Sequence, residues 1–423
     1  MDSKQKIQIR IRSARVLQWL SDIWYVFTEE LRRMLHDPGV LTIFVVASLA
    51  YPLLYKTMYY NEQVLNIPVA VVDMDASPES RHFLHKWNAT PDVEIAYTCE
   101  NMAQAEELMR HGKIHGILYI PSDYSHDIAT VHDQATLSLY CDMSSFLYMK
   151  GVYMSCNKVM LDEMHNIQLN RFERMGFGPQ TSWVLTQGAP YTETALYCPN
   201  QGYGSFIIPP VLLLIIHQTL LLGICMMAGT AYEERRTLYT LPGSKRRRGS
   251  FRIVFGKGAA YFLLYYLLAI VVLVLYPKIL NIPNIGHPLD IIRFLVPFLM
   301  ATIFFSMTIS LFIHNRETGM VILVTTSLMF LFISGISWPI DSIPMFWQVV
   351  GAFIPSTCGI HGFVRMNTMG ATIYQVEEEY IALWALTCIY FITATAGLYL
   401  QGLHADRGHR PEFKNKILHY FLD

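Results

Sequence analysis

Hydrophobic and polar residues follow one another along this chain in long blocks rather than residue by residue. Six stretches of about 20 residues are almost free of charge, and short charged segments separate most of them. A helix needs about 20 apolar residues to cross the roughly 30 Å hydrocarbon core of a membrane, because each residue rises about 1.5 Å. The pattern predicts six transmembrane helices, at residues 39–60, 206–232, 257–277, 290–313, 319–338 and 379–402.

The first span contains two unfavourable residues, because Pro52 interrupts it and Lys56 lies near one of its ends. A lysine near a helix end can extend its amine to the membrane interface, so we retain the span. The residues before it are more numerous than the charged start of a signal peptide, and no small-residue cleavage site follows. We therefore expect a permanent span rather than a cleaved signal.

The composition agrees with a membrane protein. The chain is 52% hydrophobic and 15% charged, which excludes an ordinary soluble enzyme, and its net charge of −1 excludes a globally basic nucleic-acid-binding protein. Residues 1–38, 232–257, 314–318 and 403–423 hold 20 of the 32 Lys and Arg residues. Short basic loops stay in the cytoplasm, so we expect both termini there.

Residues 61–205, between the first and second spans, have a globular composition and are numerous enough for one domain. Strand and helix patterns alternate in them, so we expect an α/β domain inserted on the extracytoplasmic side. The strands are expected at 67–72, 93–97, 116–120 and 136–141, and the helices from Ser77, at 102–111 and at 146–174.

The inserted domain carries 17 acidic and 8 basic residues, an excess that serves solubility or attracts a cationic ligand or a basic partner. It contains Cys99, Cys141, Cys156 and Cys198. In an oxidising compartment these allow one or two disulfides, and four cysteines allow three pairings. Cys358 makes the external set odd, and buried free thiols are the alternative. Their spacing does not match a metal site.

Residues 14–36 are predicted to form an amphipathic helix. Asp37 precedes Pro38, and a residue before proline avoids helical angles, so we expect the chain to bend there. A helix lying on the membrane surface and then turning into the first span explains the pattern, either as an anchor or as a contact for a cytoplasmic partner. Its apolar stripe includes Leu20, Trp24, Phe27 and Leu31.

The expected cytoplasmic loop at 233–256 begins with two acidic residues and then becomes strongly basic. Membrane topology alone explains the basic residues, but it does not explain Glu233 and Glu234. We interpret these acids as a polar continuation of the second helix beyond the membrane, where a bound partner could push on it.

The chain lacks the sequence motifs of a nucleotide-binding or catalytic protein. It contains no GxxxxGK[ST], HExxH or GxSxG motif. Only His217 is ionisable near the middle of a span, and a lone histidine there is more often a packing residue than a proton site. We expect no catalytic residue, no metal and no cofactor in this chain, so any transport energy has to come from another polypeptide.

Four segments carry a resemblance to a known family. They are His36-Asp37-Pro38-Gly39, Ile67–Asp75 followed by Ser77–Arg81, Glu233-Glu234-Arg235-Arg236-Thr237, and the run from Ser334 to Trp347 that continues through Pro355. In this order and spacing the chain resembles the permease subunits of ABC-2 type transporters over nearly its whole length. The family often has an acid and a glycine before the threonine, where this chain has Arg235 and Arg236.

The resemblance implies an α-helical polytopic membrane protein without its own ATPase site. It implies that residues 233–237 contact a cytoplasmic ABC ATPase, where ATP acts, and that residues 339–378 re-enter the outer leaflet as short helices. The residues implied in the re-entrant segment are Gly335, Pro339, Pro344, Trp347 and Pro355.

The same resemblance implies partners and a cargo. A second permease chain, identical or different, would complete the transporter in a bacterial inner membrane, with a periplasmic adaptor and an outer-membrane channel as further partners. The cargo of such permeases is a hydrophobic or amphipathic molecule, drug-like or lipid. The alternative function is a non-transporting envelope scaffold or receptor whose acidic external domain binds a ligand or a partner.

Overall fold

The computed structural model describes residues 3–130, 134–187, 194, 196, 197, 202–234, 249–282 and 284–408. Within these ranges, side chains are described from residue 18 to residue 401. The chain divides into two compact units, of which one is Met1–Tyr60 with Ala195–Asp423 and the other is Asn61–Thr194. We call the first the membrane unit and the second the inserted unit.

Helices dominate the described residues, and four short strands lie in the inserted unit. In chain order the elements are α1 (Ser3–His36), α2 (Pro38–Met58), β1 (Ile67–Asp73), α3 (Pro78–Asn88), β2 (Val93–Thr98), α4 (Met102–Arg110), β3 (Gly116–Ile120), α5 (Tyr124–Ala129), β4 (Ser138–Cys141), α6 (Phe146–Arg174), α7 (Pro179–Thr186), α8 (Tyr203–Glu233), α9 (Ser250–Ile279), α10 (Pro288–Ser310), α11 (Arg316–Ile333), α12 (Met345–Ala352), α13 (Pro355–Met369) and α14 (Glu377–Gly408).

Six helices in the described part of the chain are long and apolar enough to cross a membrane. They are α2, α8, α9, α10, α11 and the Glu377–Gln401 part of α14. This finding confirms the expected six-span fold. Several bounds differ from the sequence pattern, and the largest differences are that α9 begins at Ser250 rather than at 257 and that α11 ends at Ile333 rather than at 338.

Local chemistry determines where α2 begins. Asp37 is extended, with φ −91° and ψ 105°, and its carboxylate accepts the backbone N–H groups of Gly39 and Val40. Pro38 occupies the first helical turn, where a missing N–H group costs nothing. The expected bend between α1 and α2 therefore lies at this helix cap.

Helix α2 continues through Pro52 to Met58, which confirms the retained first span. A proline inside a membrane helix is tolerated when neighbouring groups compensate for the lost hydrogen bond. Here a π-helical segment, Thr42–Ala47, precedes the proline, and Pro52 itself is buried.

Helix α8 is the central helix of the membrane unit and packs against α2, α10, α11 and α13. Small residues allow the close contacts. The Phe44 ring lies where a side chain on Gly223 would stand, and a side chain on Gly229 would stand 2.7 Å from the backbone of Asn315. Phe44 also makes an edge contact with Tyr265, with ring centroids 4.9 Å apart. The core of this unit is thus built around one helix that is buried on most sides.

The inserted unit contains a four-stranded sheet in the order β2-β1-β3-β4. Strand β1 pairs in parallel with β2 and β3, and β4 runs antiparallel to β3. Helix α3 begins as its sequence indicates, with the Ser77 hydroxyl accepting the N–H of Ser80 at 3.0 Å and Pro78 in the first turn.

Both faces of this sheet are covered, which confirms the expected α/β character of the unit. On one face, α3 and α6 bury Phe83, Trp87 and Val152 against the sheet. On the other face, Ala105 of α4 packs with Cys99 in a smaller cluster. Successive strand residues point to opposite faces, which is why the two clusters draw on alternate positions of β1.

Candidate functional site

An arginine at the start of α11 joins three helix ends of the membrane unit. The Arg316 guanidinium donates to both oxygens of Asp37, at 2.7 and 2.8 Å, and to the Thr230 hydroxyl at 3.3 Å. Its backbone N–H donates to Oε1 of Glu233 at 2.9 Å. We call Asp37, Thr230, Glu233 and Arg316 the Arg316 cluster; it connects the start of α2, the end of α8 and the start of α11.

The geometry of the Arg316 cluster favours a fixed ion pair. A bidentate arginine–carboxylate pair restricts both side chains more than a single hydrogen bond does. The hydrogen bond from Arg316 lowers the pKa of Asp37, and the N–H groups of Val40 and Gly39 lower it further against the opposing effect of partial burial. A side chain on Gly39 would meet the Arg316 guanidinium and would have to displace it from its position on Asp37.

A second set of ion pairs connects α1 to the start of α9. Glu30 is only 2% exposed and accepts the Tyr261 hydroxyl at 2.6 Å and the Lys257 amine at 3.2 Å. Eight residues earlier on α1, Asp22 accepts a hydrogen bond from Arg252 at 2.5 Å. A buried carboxylate is retained only with such partners, so α1 is held firmly against α9.

Close backbone approach reinforces this contact. A side chain on Gly256 would meet Val26 and the carbonyl oxygen of Ile23, both at 3.0 Å. Trp19 stacks on Phe251 with ring centroids 5.9 Å apart. We call this surface the α1–α9 contact.

A cavity of about 450 Å³ lies between the Arg316 cluster and the α1–α9 contact. Charged side chains of both signs line it, including Glu30, Asp37, Glu234, Lys257 and Arg316. Among the described residues, no group of three or more His, Cys, Asp or Glu side chains is arranged to hold a metal ion. Ion pairs between helix ends can couple the movements of those helices, and the residues around this cavity are arranged for that role.

The acids predicted for ATPase coupling lie at this site. Glu233 is the last residue of α8 and belongs to the Arg316 cluster, and Glu234 caps the helix and lines the cavity. Arg235, Arg236 and Thr237 lie outside the described residues.

The predicted interfacial residues divide into two pairs. Leu20 and Trp24 are 53% and 66% exposed, whereas Phe27 and Leu31 are partly buried against the core of the membrane unit. Trp24 stacks on Phe27 with ring centroids 5.3 Å apart. The stripe therefore turns from an exposed surface toward the bundle along α1.

The residues predicted for a re-entrant segment lie at the turns between short helices. Gly335 has a φ of +80°, a conformation that favours glycine, and it follows the end of α11. Pro339 and Pro344 precede a 3₁₀ turn and α12, Trp347 lies in α12, and Pro355 begins α13. Helix α13 packs into the bundle against α8 and α10.

The sequence did not reveal the partners of the acidic residues in the Arg316 cluster and the α1–α9 contact. Arg316 was visible only as the single base of a short loop, and nothing local indicates that it binds Asp37, 279 positions away. Asp22 and Glu30 are about two helical turns apart, which places them on one face of α1. That periodicity could have revealed a shared face, but not the pairing with Arg252 and Lys257.

His217 is fully buried in α8 between aromatic rings. Its ring lies 5.8 Å from that of Phe305 and 5.5 Å from that of Phe330, and neither ring nitrogen has a hydrogen-bond partner among the described residues. The aromatic packing agrees with a packing role.

Comparison with known proteins gives the family. A family model described as "ABC-2 family transporter protein" matches residues 39–396. The chain belongs to the ABC-2 transporter family. It is therefore a multi-pass permease subunit of an ABC transporter, and such permeases work with ABC ATPase subunits. No curated protein matches the chain. The Arg316 cluster and the α1–α9 contact are features of an ABC-2 permease that the sequence motifs only partly indicate.

Proposed function

We propose that the chain is the permease of an ATP-driven exporter for hydrophobic or amphipathic molecules, and that the ATPase contacts it next to the Arg316 cluster. The observation that carries this proposal is the bidentate pair between Arg316 and Asp37, together with the bond from Glu233. These bonds tie three helix ends together, so a push on one of them moves all three.

The orientation follows from charge. Residues 1–38, 232–257, 314–318 and 403–423 hold 20 of the 32 Lys and Arg residues, and Asp37, Glu233 and Arg316 belong to three of these segments, which supports a cytoplasmic location for the Arg316 cluster and for both termini. The exposed Leu20 and Trp24 on α1 support contact with the membrane interface there. We infer a bacterial inner membrane, with the inserted unit on the opposite side.

Force from the ATPase would follow two routes. A push on residues 233–237 would reach α2 and α11 through Glu233, Arg316 and Asp37. A push on α1 would reach α9 through the α1–α9 contact, because Glu30 and Asp22 fix the two helices together. Both routes end on helices that pack around the core of the membrane unit, where the transport path would open.

The cargo follows from the scarcity of charge inside the spans. His217 is the ionisable side chain near the middle of α8, and it lies among aromatic rings. Such an interior favours drug-like molecules or lipids over ions. We infer a second permease chain as the partner that completes the path, and a periplasmic adaptor with an outer-membrane channel as further partners of the external side.

Charge reversal at Glu233 and Glu234 tests the proposal. The Glu233→Lys/Glu234→Lys variant, reconstituted in proteoliposomes with the co-purified ATPase, should still hydrolyse ATP. We expect export of a lipophilic fluorescent dye and of a fluorescent short-chain phospholipid to fall roughly tenfold or more, as loss of coupling between two sites predicts. Lysine at position 233 would face the backbone N–H of Arg316 and remove the bond.

The control is Glu317→Lys, which reverses one acidic charge at an exposed residue of the first turn of α11. It should retain export. Wild-type export from the double variant contradicts a coupling role for these acids. Strong ATP hydrolysis by the purified permease alone contradicts the proposed exporter. Repeated absence of a nucleotide-binding subunit after mild purification also contradicts it and favours a scaffold.

A further inference from the structure

The cysteines of the inserted unit lie on different faces of its sheet. Cys99 packs with Ala70, Ala105 and other residues on the face covered by α4. Cys141 and Cys156 belong to the cluster on the opposite face, between the sheet and α6. Since the sheet separates the two faces, Cys99 cannot reach the other two thiols. Of the three pairings that the sequence allows, the two that join Cys99 to Cys141 or to Cys156 are therefore excluded.

Strand register places Cys141 beneath α6. Cys141 of β4 pairs directly with Gly116 of β3, and directly paired residues extend to the same face of a sheet. A side chain on Gly116 would stand 2.7 Å from Cγ1 of Val152, so Val152 covers this point of the sheet. Cys156 follows Val152 by one helical turn on the same side of α6. Both thiols therefore lie in the layer between β4 and α6.

We propose that Cys141 and Cys156 form a disulfide that links β4 to α6. This inference rests on the extracytoplasmic location of the inserted unit under the proposed function, because such a compartment is oxidising. The two thiols lose two protons and two electrons as the S–S bond forms. The electron acceptor is a disulfide-bearing oxidoreductase or a small disulfide such as oxidised glutathione, which is reduced to its dithiol or to two thiols.

The environments of the two thiols give the order of the reaction. Cys141 is partly exposed, whereas Cys156 is 4% exposed. Cys141 therefore meets the oxidant first and forms the mixed disulfide, and Cys156 then attacks Cys141 and releases the reduced oxidant.

The thiolate is the attacking species in both steps, so protonation controls the rate. Burial raises the pKa of Cys141. Burial also raises the pKa of Cys156 to about 11, and the nearby Cys141 adds to that rise. Both thiols are therefore mostly protonated near neutral pH. The uncatalysed reaction should therefore accelerate as the pH rises above neutral, because the thiolate fraction grows.

Oxidation of the purified full-length protein tests the geometry independently of its location. The protein in detergent is treated with oxidised glutathione, free thiols are alkylated, and the peptides are identified by mass spectrometry. We expect one peptide pair joined through Cys141 and Cys156. Cys99→Ser is the matched control and should leave the link intact, while Cys141→Ser or Cys156→Ser should abolish it. Alkylation of both thiols after oxidation, or a link from either to another cysteine, overturns the disulfide.

A second measurement separates this inference from the proposed function. Cells are quenched with acid and alkylating agent before lysis, so that the state of the two cysteines in the living cell is preserved. A linked pair in both experiments supports the disulfide and the external location together. A pair that links in detergent but stays reduced in cells overturns the disulfide as a cellular feature, and it contradicts the proposed orientation while leaving the geometry correct.

Discussion

At the scale of single residues, the ion pair between Arg316 and Asp37 should contribute measurably to the free energy of unfolding. Arg316→Gln should lower the free energy of unfolding by roughly 1–3 kcal/mol, because it removes a bidentate, charge-assisted hydrogen bond from a partly buried carboxylate. Asp37→Asn should cost a similar amount. The double variant should lose less than the sum of the two, since both changes remove the same interaction. Equilibrium unfolding of the purified protein in mixed detergent measures the loss in the two single variants and in the double variant.

The control for this cycle is another arginine–aspartate pair of the membrane unit. Arg293 lies 3.7 Å from Asp290, and its side chain is 66% exposed. Arg293→Gln should change the free energy of unfolding by less than about 0.5 kcal/mol, because a single long contact from a mobile side chain near the end of a span contributes little. Strictly additive losses at Arg316 and Asp37 contradict the proposed bond.

In the inserted unit, the hydrogen bonds to Asp142 imply that stability decreases at acid pH. The Ser144 hydroxyl, the His115 ring and the Ser144 backbone N–H bind this carboxylate and lower its pKa to about 2. Because the folded pKa lies below the unfolded value, this group stabilises the unit above about pH 4 and loses that contribution as the pH falls toward 2. Hydrogen exchange of β4 and of the first turn of α6, measured from pH 5 to pH 2, should accelerate over this range beyond the intrinsic change.

The Asp142→Asn variant should remove that part of the pH response. It should exchange faster than the wild type at pH 5, where the carboxylate still accepts its hydrogen bonds. Asp162→Asn, at an exposed acid of α6 that binds Lys86, provides the comparison and should keep the wild-type response at β4. An unchanged profile in Asp142→Asn contradicts a role for this carboxylate.

At the scale of elements, the close packing of α1 against α9 can be tested by placing a larger side chain between them. Gly256→Val should force α1 away from α9, because Val26 and the Ile23 carbonyl leave no room for a side chain. We expect faster hydrogen exchange in α1 from residue 18 to residue 36, and loss of dye export with ATP hydrolysis retained. Gly178→Ala, with no atom within 4 Å of its new Cβ, should change neither. Unchanged exchange in α1 of Gly256→Val contradicts a tight contact.

The elements themselves were largely predictable, because their signals are local. Asp37-Pro38 and Ser77-Pro78 are helix starts that three or four residues specify, and both caps form as expected. Pro52 was an unfavourable residue for the first span, but helix α2 continues through it, because neighbouring groups in a membrane protein compensate for the lost hydrogen bond. The packed side of α1 was also hidden, because Asp22 and Glu30 alternate there with the buried Val26 and Met34.

At the scale of the whole molecule, six spans could be counted because lipid leaves a backbone no partner except its own helix. How those spans pack around α8 could not be read from the sequence. That arrangement depends on contacts such as Phe44 on Gly223 and Arg316 on Asp37, between residues that are far apart in the chain. The candidate site shows the same limit: sequence motifs indicated Asp37 and Glu233, but not the residue that binds them.

Orientation is the whole-molecule property on which the exporter proposal depends, and charge makes it testable. Residues 245–248 are Lys-Arg-Arg-Arg, and they belong to the basic end of the chain, whereas residues 61–205 carry a net charge of −9. Trypsin added to sealed inside-out vesicles should cut at 245–248 and spare the inserted unit at Arg110. Added to spheroplasts, it should cut the inserted unit at such exposed bases and spare 245–248. The reverse pattern would place the Arg316 cluster outside the cell, where no ATP-driven partner could push on it, and the proposed coupling would have to be abandoned.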